Sequence, residues 1–226
     1  MKSFLISIEH ASNHVPKCWQ SLFAGASRVL DSHRAWDPGS CEMARTLAST
    51  LRAPMIEGQV TRLLIDLNRS ASHPRRFSEF SRELTQAQKQ ELIASYWQPH
   101  WDCYRSHLDS LPGQIIHIAC HSFTPMLNGT TRKTDIGLLY DPSRAAEAAY
   151  CRQLGDLLRA ALPDLTIHMN QPYRGVSNGM GQQHRKDHDD SRLITIELEI
   201  NQRLNLSPTY TSVLEHIANT VRYAAA

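Results

Sequence analysis

The chain has 226 residues, of which 41% are hydrophobic and 20% are charged, and its formal net charge at pH 7 is +2. These values exclude a low-complexity or strongly basic protein, and they give no reason to expect a nucleic-acid or membrane partner. The length predicts one domain over residues 1–226, with a full buried core.

The cysteines and the N-terminus indicate the compartment. Five cysteines are widely spaced and form no C-x-x-C pair, which favours reduced thiols over a disulfide framework or a thiolate zinc site. The first apolar run is too short for a signal peptide and ends at Glu9 and His10. No stretch approaches the roughly 20 apolar residues of a membrane span. We therefore expect a cytoplasmic protein.

The first half of the chain alternates short apolar runs with helical patterns. Residues 4–8 (FLISI) are apolar and partly β-branched, which predicts a buried strand. Asp37-Pro38-Gly39 is a turn signal, and residues 40–51 follow it with helical spacing of apolar side chains. Residues 55–57 indicate a second short strand, and residues 60–70 (VTRLLIDLNRS) have an apolar centre between polar flanks.

A long helix is predicted from Leu84 to about Leu108, after a basic loop at residues 71–82. Pro99 interrupts it, so that one bent helix or two helices are both compatible with the pattern. The aromatic side chains in this region recur at helical spacing, which favours burial in the core over a ligand platform. They are Tyr96, Trp97, Trp101 and Tyr104.

The second half continues the alternation and contains one long polar loop. Loops of such length in a compact domain are usually functional or disordered. The pattern predicts strands at 114–120, 134–140, 165–168 and 192–200, helices at 143–162 (capped by Ser143) and 207–226, and the long loop at 170–191. Strands that alternate with helices predict an α/β fold, with a single mixed sheet flanked by helices.

Polar groups follow or interrupt the apolar strands at four places. They are Glu9-His10, Arg62 with Asn68-Arg69, His121, and Glu197 with Glu199. Because the carboxyl ends of parallel strands line one crevice, we expect these groups to converge. Two histidines and a carboxylate suit a catalytic zinc with an open fourth position, and a free glutamate can act as general base. Arginines can hold a carboxylate or stabilise an oxyanion.

Simpler interpretations apply to several of these residues. His117 lies mid-strand and is better explained as a hydrogen-bonded core histidine than as a ligand. Glu197 and Glu199 lie two residues apart and therefore point to one face of their strand, where unpaired burial is costly. The expected consequence is that at least one of them meets a metal, an arginine or a substrate.

Five motifs in this order resemble the N-formylglutamate amidohydrolase family across essentially the whole chain. They are EHASNHVP, RLLIDLNRS, HSFTP with Gly129 behind it, NQPYRG and ELEINQRL. The resemblance implies a zinc-peptidase-like fold, similar to zinc carboxypeptidases and aspartoacylases. It also implies hydrolysis of the amide bond of a small N-acyl amino acid, with one zinc ion per chain.

Carried over by motif, the resemblance implies that His10 and His121 hold the metal. For the third ligand it leaves Glu9 and Asn13 open, and we favour Glu9 because carboxylate is the better ligand. It implies Glu199 as the base and Arg62 as the group that polarises the scissile carbonyl. Asn68 and Arg69 would bind the substrate carboxylate, and His184 in the long loop would contribute to substrate binding.

Two alternatives to this hydrolase stay open. The first is a metal-independent protein that binds small anionic ligands through Arg62, Arg69 and His184, with Asn13 as the mark of a degenerate metal site. The second is a scaffold that acts through protein contacts, because folds outlive functions. A small-molecule substrate is the expected partner, and a homo-oligomer is compatible with the sequence.

Overall fold

The computed structural model describes residues 2–225, and a mixed six-stranded sheet lies at its centre. The strand order is β2-β1-β3-β8-β6-β7. The bounds are β1 Lys2–Ile8, β2 Met55–Glu57, β3 Gln114–Phe123, β6 Ile136–Leu139, β7 Ile167–Met169 and β8 Leu193–Asn201. A small antiparallel hairpin, β4 Met126–Leu127 with β5 Thr130–Thr131, follows β3.

Strand direction places the carboxyl ends of the long central strands side by side. β2, β1, β3 and β8 are mutually parallel, whereas β6 runs antiparallel to β8 and pairs in parallel with β7. The predicted single mixed sheet flanked by helices is confirmed. A crevice at the ends of β1, β3 and β8 is therefore the expected place for a ligand.

All four predicted helical regions are present, and two short helices, Ser27–Leu30 and Met180–His184, lie where none was predicted. The helix bounds are α1 Ser27–Leu30, α2 Ser40–Leu51, α3 Gln86–Leu92, α4 Gln98–Ser110, α5 Ala145–Ala161, α6 Met180–His184 and α7 Tyr210–Ala224. Short α6 divides the long polar loop. The predicted end of the last helix at residue 226 lies outside the described residues. No helix of the described chain is both long enough and apolar enough to cross a bilayer.

One local prediction is wrong, and the structure decides between the two alternatives that stay open at Pro99. The predicted cap of α5 is wrong, because the Ser143 hydroxyl donates to Asp141 and the helix begins after Arg144 without a side-chain cap. At Pro99 the helical stretch is continuous, because a π-helical turn at Ile93–Trp97 joins α3 to α4 and the proline lies in the first turn of α4.

The two faces of β1, β3 and β8 differ in chemistry. Even-numbered positions in the middle of these strands are apolar and pack with α2, α5 and α7, as Ile8, Ile118 and Leu198 do. Odd-numbered positions change from apolar to polar toward the carboxyl ends. In register across β1, β3 and β8 the rows are Ser3, Ile115 and Leu193, then Leu5, His117 and Thr195, then Ser7, Ala119 and Glu197, and finally Glu9, His121 and Glu199.

The middle of this odd-numbered face confirms the interpretation of His117 as a core histidine. The ring is fully buried, with Nε2 2.8 Å from Ser7 Oγ and Nδ1 2.7 Å from Thr195 Oγ1. Burial lowers the pKa of His117 to about 3. Both ring nitrogens of His117 therefore form hydrogen bonds to neighbouring strands, before β3 reaches the pocket.

Candidate active site

A pocket of about 300 Å³ lies at the carboxyl ends of β3 and β8. Its walls include His10, His121 and Glu199 from the strand ends and Arg62, Asn68 and Arg69 from the segment after β2. This volume is at the small end of the range of ligand pockets. Four of the sequence regions with polar groups thus meet at one place, as the parallel strands led us to expect.

Three buried side chains at this pocket form a group that can hold a metal ion. They are His10, Asp37 and His121, whose donor atoms all lie within 4.8 Å of one another. Asp37 Oδ2 lies 3.3 Å from His10 Nδ1 and 2.9 Å from His121 Nδ1. Two imidazoles and one carboxylate form a donor set that catalytic zinc uses, so the residues fit the metal that the sequence predicts.

The electrostatics of this group also fit a cation. Burial disfavours the charged carboxylate of Asp37, but contacts with His10 and His121 outweigh it and hold its pKa well below the usual range. Burial likewise opposes a charge on His121, yet its contacts with Asp37 and Glu9 raise the pKa of the imidazole well above its usual value. In this geometry a positive charge between the carboxylates is favoured.

Asp37 is the member that the sequence pattern did not identify. It belongs to the Asp37-Pro38-Gly39 turn before α2 rather than to a strand end. The Asp37 backbone N–H donates to the His10 carbonyl at 3.0 Å, and the Ser40 hydroxyl donates to the Asp37 carbonyl. These bonds fix the turn against the end of β1. The turn signal could have marked the residue, but nothing in its spacing relates it to the two histidines.

Asp66 connects the segment after β2 to the histidine group. Its Oδ1 accepts at 2.8 Å from His10 Nε2 and at 3.0 Å from the Asn68 backbone N–H, while Arg62 donates to Oδ2 at 3.1 Å. Arg62 also approaches Asp37, at 3.6 Å. Burial disfavours the charged carboxylate of Asp66, but contacts with Arg62 and His10 outweigh this effect and hold its pKa well below the usual range. One carboxylate therefore orients a metal-site histidine and a pocket arginine together.

Two indole rings hold the same segment from behind. Trp97 Nε1 donates to the Arg69 carbonyl at 2.8 Å and Trp101 Nε1 donates to the Leu67 carbonyl at 2.9 Å. These carbonyls flank Asn68, which faces the pocket. Trp97, Trp101 and Tyr104 are buried, as the helical stripe predicts. Their side-chain N–H bonds to the pocket segment could not be derived from that stripe.

Glu197 and Glu199 both line the pocket, on the odd-numbered face of β8. Glu199 is 4% exposed, and its Oε2 has no hydrogen-bond partner among the described residues. Burial raises its pKa to about 8, and the neighbouring charges of Asp37 and Glu197 add to the effect. Burial also raises the pKa of Glu197. Gly137 on β6 faces Glu199 in register, and a Cβ there would lie 2.1 Å from the Gln171 carbonyl, so only glycine admits that close approach.

Comparison with known proteins identifies the family. The family model described as FGase, N-formylglutamate amidohydrolase, matches residues 2–206. The chain belongs to the N-formylglutamate amidohydrolase family. Among curated protein sequences, none matches this chain. Membership implies an amidohydrolase.

Solved structures share the fold of this N-formylglutamate amidohydrolase family member. The gene product Atu2144 from Agrobacterium tumefaciens is 23% identical with a TM-score of 0.81, and the alignment covers 99% of this chain and 90% of that one. An N-formylglutamate amidohydrolase from Ralstonia eutropha JMP134 is 14% identical with a TM-score of 0.63, and the alignment covers 98% of this chain and 92% of that one.

Two residues that the family resemblance placed in the site lie elsewhere. His184 is buried away from the pocket, stacked on Tyr104 with ring centroids 4.4 Å apart, so its position lends no support to substrate binding. Burial lowers its pKa to about 4. Glu9 lies outside the three-residue group; its Oε2 is 3.2 Å from His121 Nε2, on the far side of the ring from Asp37.

The other candidate for the third ligand, Asn13, is also remote. Its amide donates to the Leu30 carbonyl at 3.0 Å, and the residue lines a different surface depression. Asp37 occupies the position for which Glu9 and Asn13 were the sequence candidates. The metal-ligand set that the geometry favours is therefore His10, Asp37 and His121.

Proposed function

We propose that this protein is a zinc-dependent amidohydrolase that cleaves the amide bond of a small N-acyl amino acid, N-formylglutamate-like. The observation that carries the proposal is the juxtaposition, in one pocket of about 300 Å³, of the group His10, Asp37 and His121 with the unpartnered carboxyl of Glu199. Family membership supports the reaction class. When bound by these residues, zinc supplies a Lewis acid and lowers the pKa of water to about 7.

Glu199 is assigned the proton transfers. It is almost completely buried, its free Oε2 lies in the wall of the pocket, and its pKa near 8 is close to working pH, where a general base is most effective. In the proposed reaction it takes a proton from the attacking water and delivers it to the leaving amine. A carboxyl group that already had hydrogen-bond donors would be a weaker base.

Arg62 is assigned the stabilisation of the oxyanion, because its guanidinium borders the pocket and is held by Asp66 and Asp37. Fixed donors aimed at a developing negative charge stabilise a transition state without reorganisation. Asn68 and Arg69 are assigned the substrate carboxylate. Arg174, which also borders the pocket, has no ion pair within residues 2–225 and adds a free positive charge for an anionic substrate.

The alternative of a metal-independent binder loses the feature that motivated it. Asn13 suggested a degenerate metal site, but Asn13 lies outside the group and a carboxylate, Asp37, completes it. The two functions make opposite predictions for a chelator. Hydrolysis by a zinc enzyme stops when zinc is removed and returns when zinc is added, whereas binding by the alternative protein is unaffected.

The test combines metal analysis with hydrolysis assays on the full chain. We expect about one zinc per chain, and release of amino acid from a panel of N-formyl and N-acetyl amino acids that chelation abolishes. Asp37→Asn should lose zinc and activity, whereas Asp109→Asn, an exposed aspartate of α4, should retain both. Metal-free protein that binds acyl amino acids without cleaving them would reject the hydrolase in favour of the binder.

A further inference from the structure

Glu9 is fully buried at the end of β1, next to a metal-site histidine. Ser7 pairs with Ala119 across β1 and β3, so the same register continued by two residues sets Glu9 beside His121. Its carboxylate does not border the pocket. Glu9 therefore cannot touch a substrate there, and the zinc hydrolase proposed above leaves it without a role.

The contacts of Glu9 are few for a buried carboxylate. Oε2 approaches His121 Nε2 at 3.2 Å, off the ideal line for a hydrogen bond, and neither oxygen has a well-aligned donor among the described residues. Burying an ionised carboxylate without compensation is costly. Among the described residues, His121 is the ion-pair partner of Glu9, and Ser7 and His100 also contribute to holding the pKa of this carboxyl below its usual range.

Both histidines of the group show the same arrangement. His10 directs Nδ1 to Asp37 and Nε2 to Asp66 Oδ1, the latter at 2.8 Å. His121 directs Nδ1 to Asp37 and Nε2 toward Glu9 Oε2 at 3.2 Å, with the Asn68 side-chain amide 3.4 Å from the same nitrogen. Histidines that bind metals usually donate their second ring N–H to a carboxylate or carbonyl, which sets the tautomer and the ring orientation.

We propose that Glu9 is a positioning residue of the metal site: it accepts the Nε2 proton of His121 and so presents Nδ1 of His121 to the metal beside Asp37. The inference rests on the proposed function. Glu9, which the sequence analysis favours as a metal ligand, then acts on a metal ligand rather than on the metal itself. Asp66 has the same relation to His10 but also holds Arg62 and the Asn68 backbone, whereas Glu9 has no second partner of this kind.

Charge supports the assignment. With two neutral imidazoles, the carboxylates of Asp37 and Glu9 supply two negative charges around the group, which match a divalent cation. Arg62 lies near both Asp66 and Asp37 and Arg69 lies near Asp66, so among the described residues Glu9 is the carboxylate of the three that no arginine pairs with. Replacing Glu9 with a neutral residue should therefore weaken metal binding through both the hydrogen bond and the charge.

Zinc affinity, measured by competition with a chromophoric chelator on the full-length protein, tests the role. We expect Glu9→Gln to bind zinc roughly 10-fold and Glu9→Ala roughly 100-fold more weakly than wild type, within the range for such outer partners. Glu57→Gln is the matched control, because Glu57 ends the neighbouring strand β2 and pairs with Arg45. It should bind zinc as tightly as wild type.

A spectroscopic measurement reads out the tautomer of His121 directly. In zinc-loaded wild-type protein, the ring ¹⁵N shifts of His121 should show metal at Nδ1 and a proton at Nε2, and that proton should move upfield in Glu9→Gln. Metal at Nε2, or wild-type zinc affinity in both folded Glu9 variants, would overturn this inference and leave the zinc hydrolase standing. Wild-type protein that binds no zinc would overturn both.

Discussion

Leu198 and Glu199 are consecutive residues of β8, but they belong to regions of opposite character. Leu198 is 1% exposed among the aliphatic side chains that pack against α2, α5 and α7. Glu199 is 4% exposed on the other face, with an unpartnered oxygen and a raised pKa. The strands β1, β3 and β8 therefore have one apolar face, which stabilises the fold, and one face that becomes polar toward the pocket.

The two faces contribute to the free energy of folding with opposite sign. Apolar burial stabilises by about 25 cal/mol per Å², and the even-numbered face provides it in the middle of the strands. Buried carboxylates and histidines oppose folding unless they are paired. On the odd-numbered face they collect at the carboxyl ends, where the pairing is incomplete at Glu9 and Glu199.

The largest expected effect is on the polar face. Glu199→Gln should lower kcat by about 10²–10⁴-fold, which is the usual contribution of a general base. Zinc content should remain unchanged because Glu199 is outside the group His10, Asp37 and His121. Stability should remain the same or rise, because an amide replaces a carboxyl group that burial disfavours in its charged form.

The measurements are kcat on the preferred N-acyl amino acid, zinc content and urea unfolding. Gln202, a pocket neighbour on the segment after β8, offers a control: Gln202→Ala removes a pocket amide without removing a proton carrier. It should keep kcat within about tenfold of wild type. Full activity in Glu199→Gln would remove the base from the proposed reaction.

On the aliphatic face the expected effect is on folding. Leu198→Ala should lower the free energy of unfolding by about 2–5 kcal/mol, because a buried leucine side chain leaves a cavity. The rate per folded, zinc-loaded molecule should stay near that of wild type. Urea unfolding and active-site titration of the folded fraction separate the two quantities. A loss of kcat as large as that of Glu199→Gln would mean that the two faces are not separable.

The sequence identifies this division in part. Continuous apolar runs predict the strands, and polar residues at their ends predict that His10, His121, Arg62 and Glu199 converge, which the pocket geometry agrees with. Strand ends differ by up to three residues from the predicted ones, because the hydrophobic pattern does not encode where the last ladder hydrogen bond forms.

Asp37 could not be predicted because it approaches the histidines from a turn before α2, through contacts between elements that no spacing records. The family resemblance implies a substrate-binding role for His184, but its ring lies stacked on Tyr104. A stripe of aromatics at helical spacing predicts burial, but the direction of an indole N–H depends on the segment that packs against it.

The contribution of His117, in the middle of the odd-numbered face, to the free energy of unfolding should depend on pH. His117 has a folded-state pKa of about 3, below its ordinary value of about 6.5. Its contribution to stability is therefore fully present above pH 6.5 and is lost as the pH falls from 6.5 toward 3, since the unfolded chain takes up the proton first. From pH 6.5 to 5 the loss should approach about 2 kcal/mol.

The comparison is between wild type and His117→Asn, by urea unfolding at both pH values. The variant should lose about 2 kcal/mol less over this interval, because it has no imidazole to protonate. His216→Asn, on an exposed position of α7, should retain the wild-type slope. Equal slopes in wild type and His117→Asn would show that another group sets the acid sensitivity of the sheet.

The smallest expected effect concerns Trp101, which lies outside the sheet and contacts the segment that lines the pocket. Trp101→Phe keeps a buried aromatic ring but removes the N–H that donates to the Leu67 carbonyl. An unsatisfied buried carbonyl costs about 1–3 kcal/mol, and a segment loosened by about 1 kcal/mol should raise KM roughly fivefold. The Leu67 carbonyl lies between Asp66, which contacts His10, and Asn68, which faces the pocket, and the change in KM should exceed the changes in kcat and zinc content. Tyr96→Phe on the preceding turn, whose hydroxyl makes no hydrogen bond within residues 2–225, should leave KM unchanged. A fall in kcat with constant KM in Trp101→Phe would instead assign this segment to the chemical step, and Asn68 and Arg69 would then contact the reacting group rather than the substrate carboxylate.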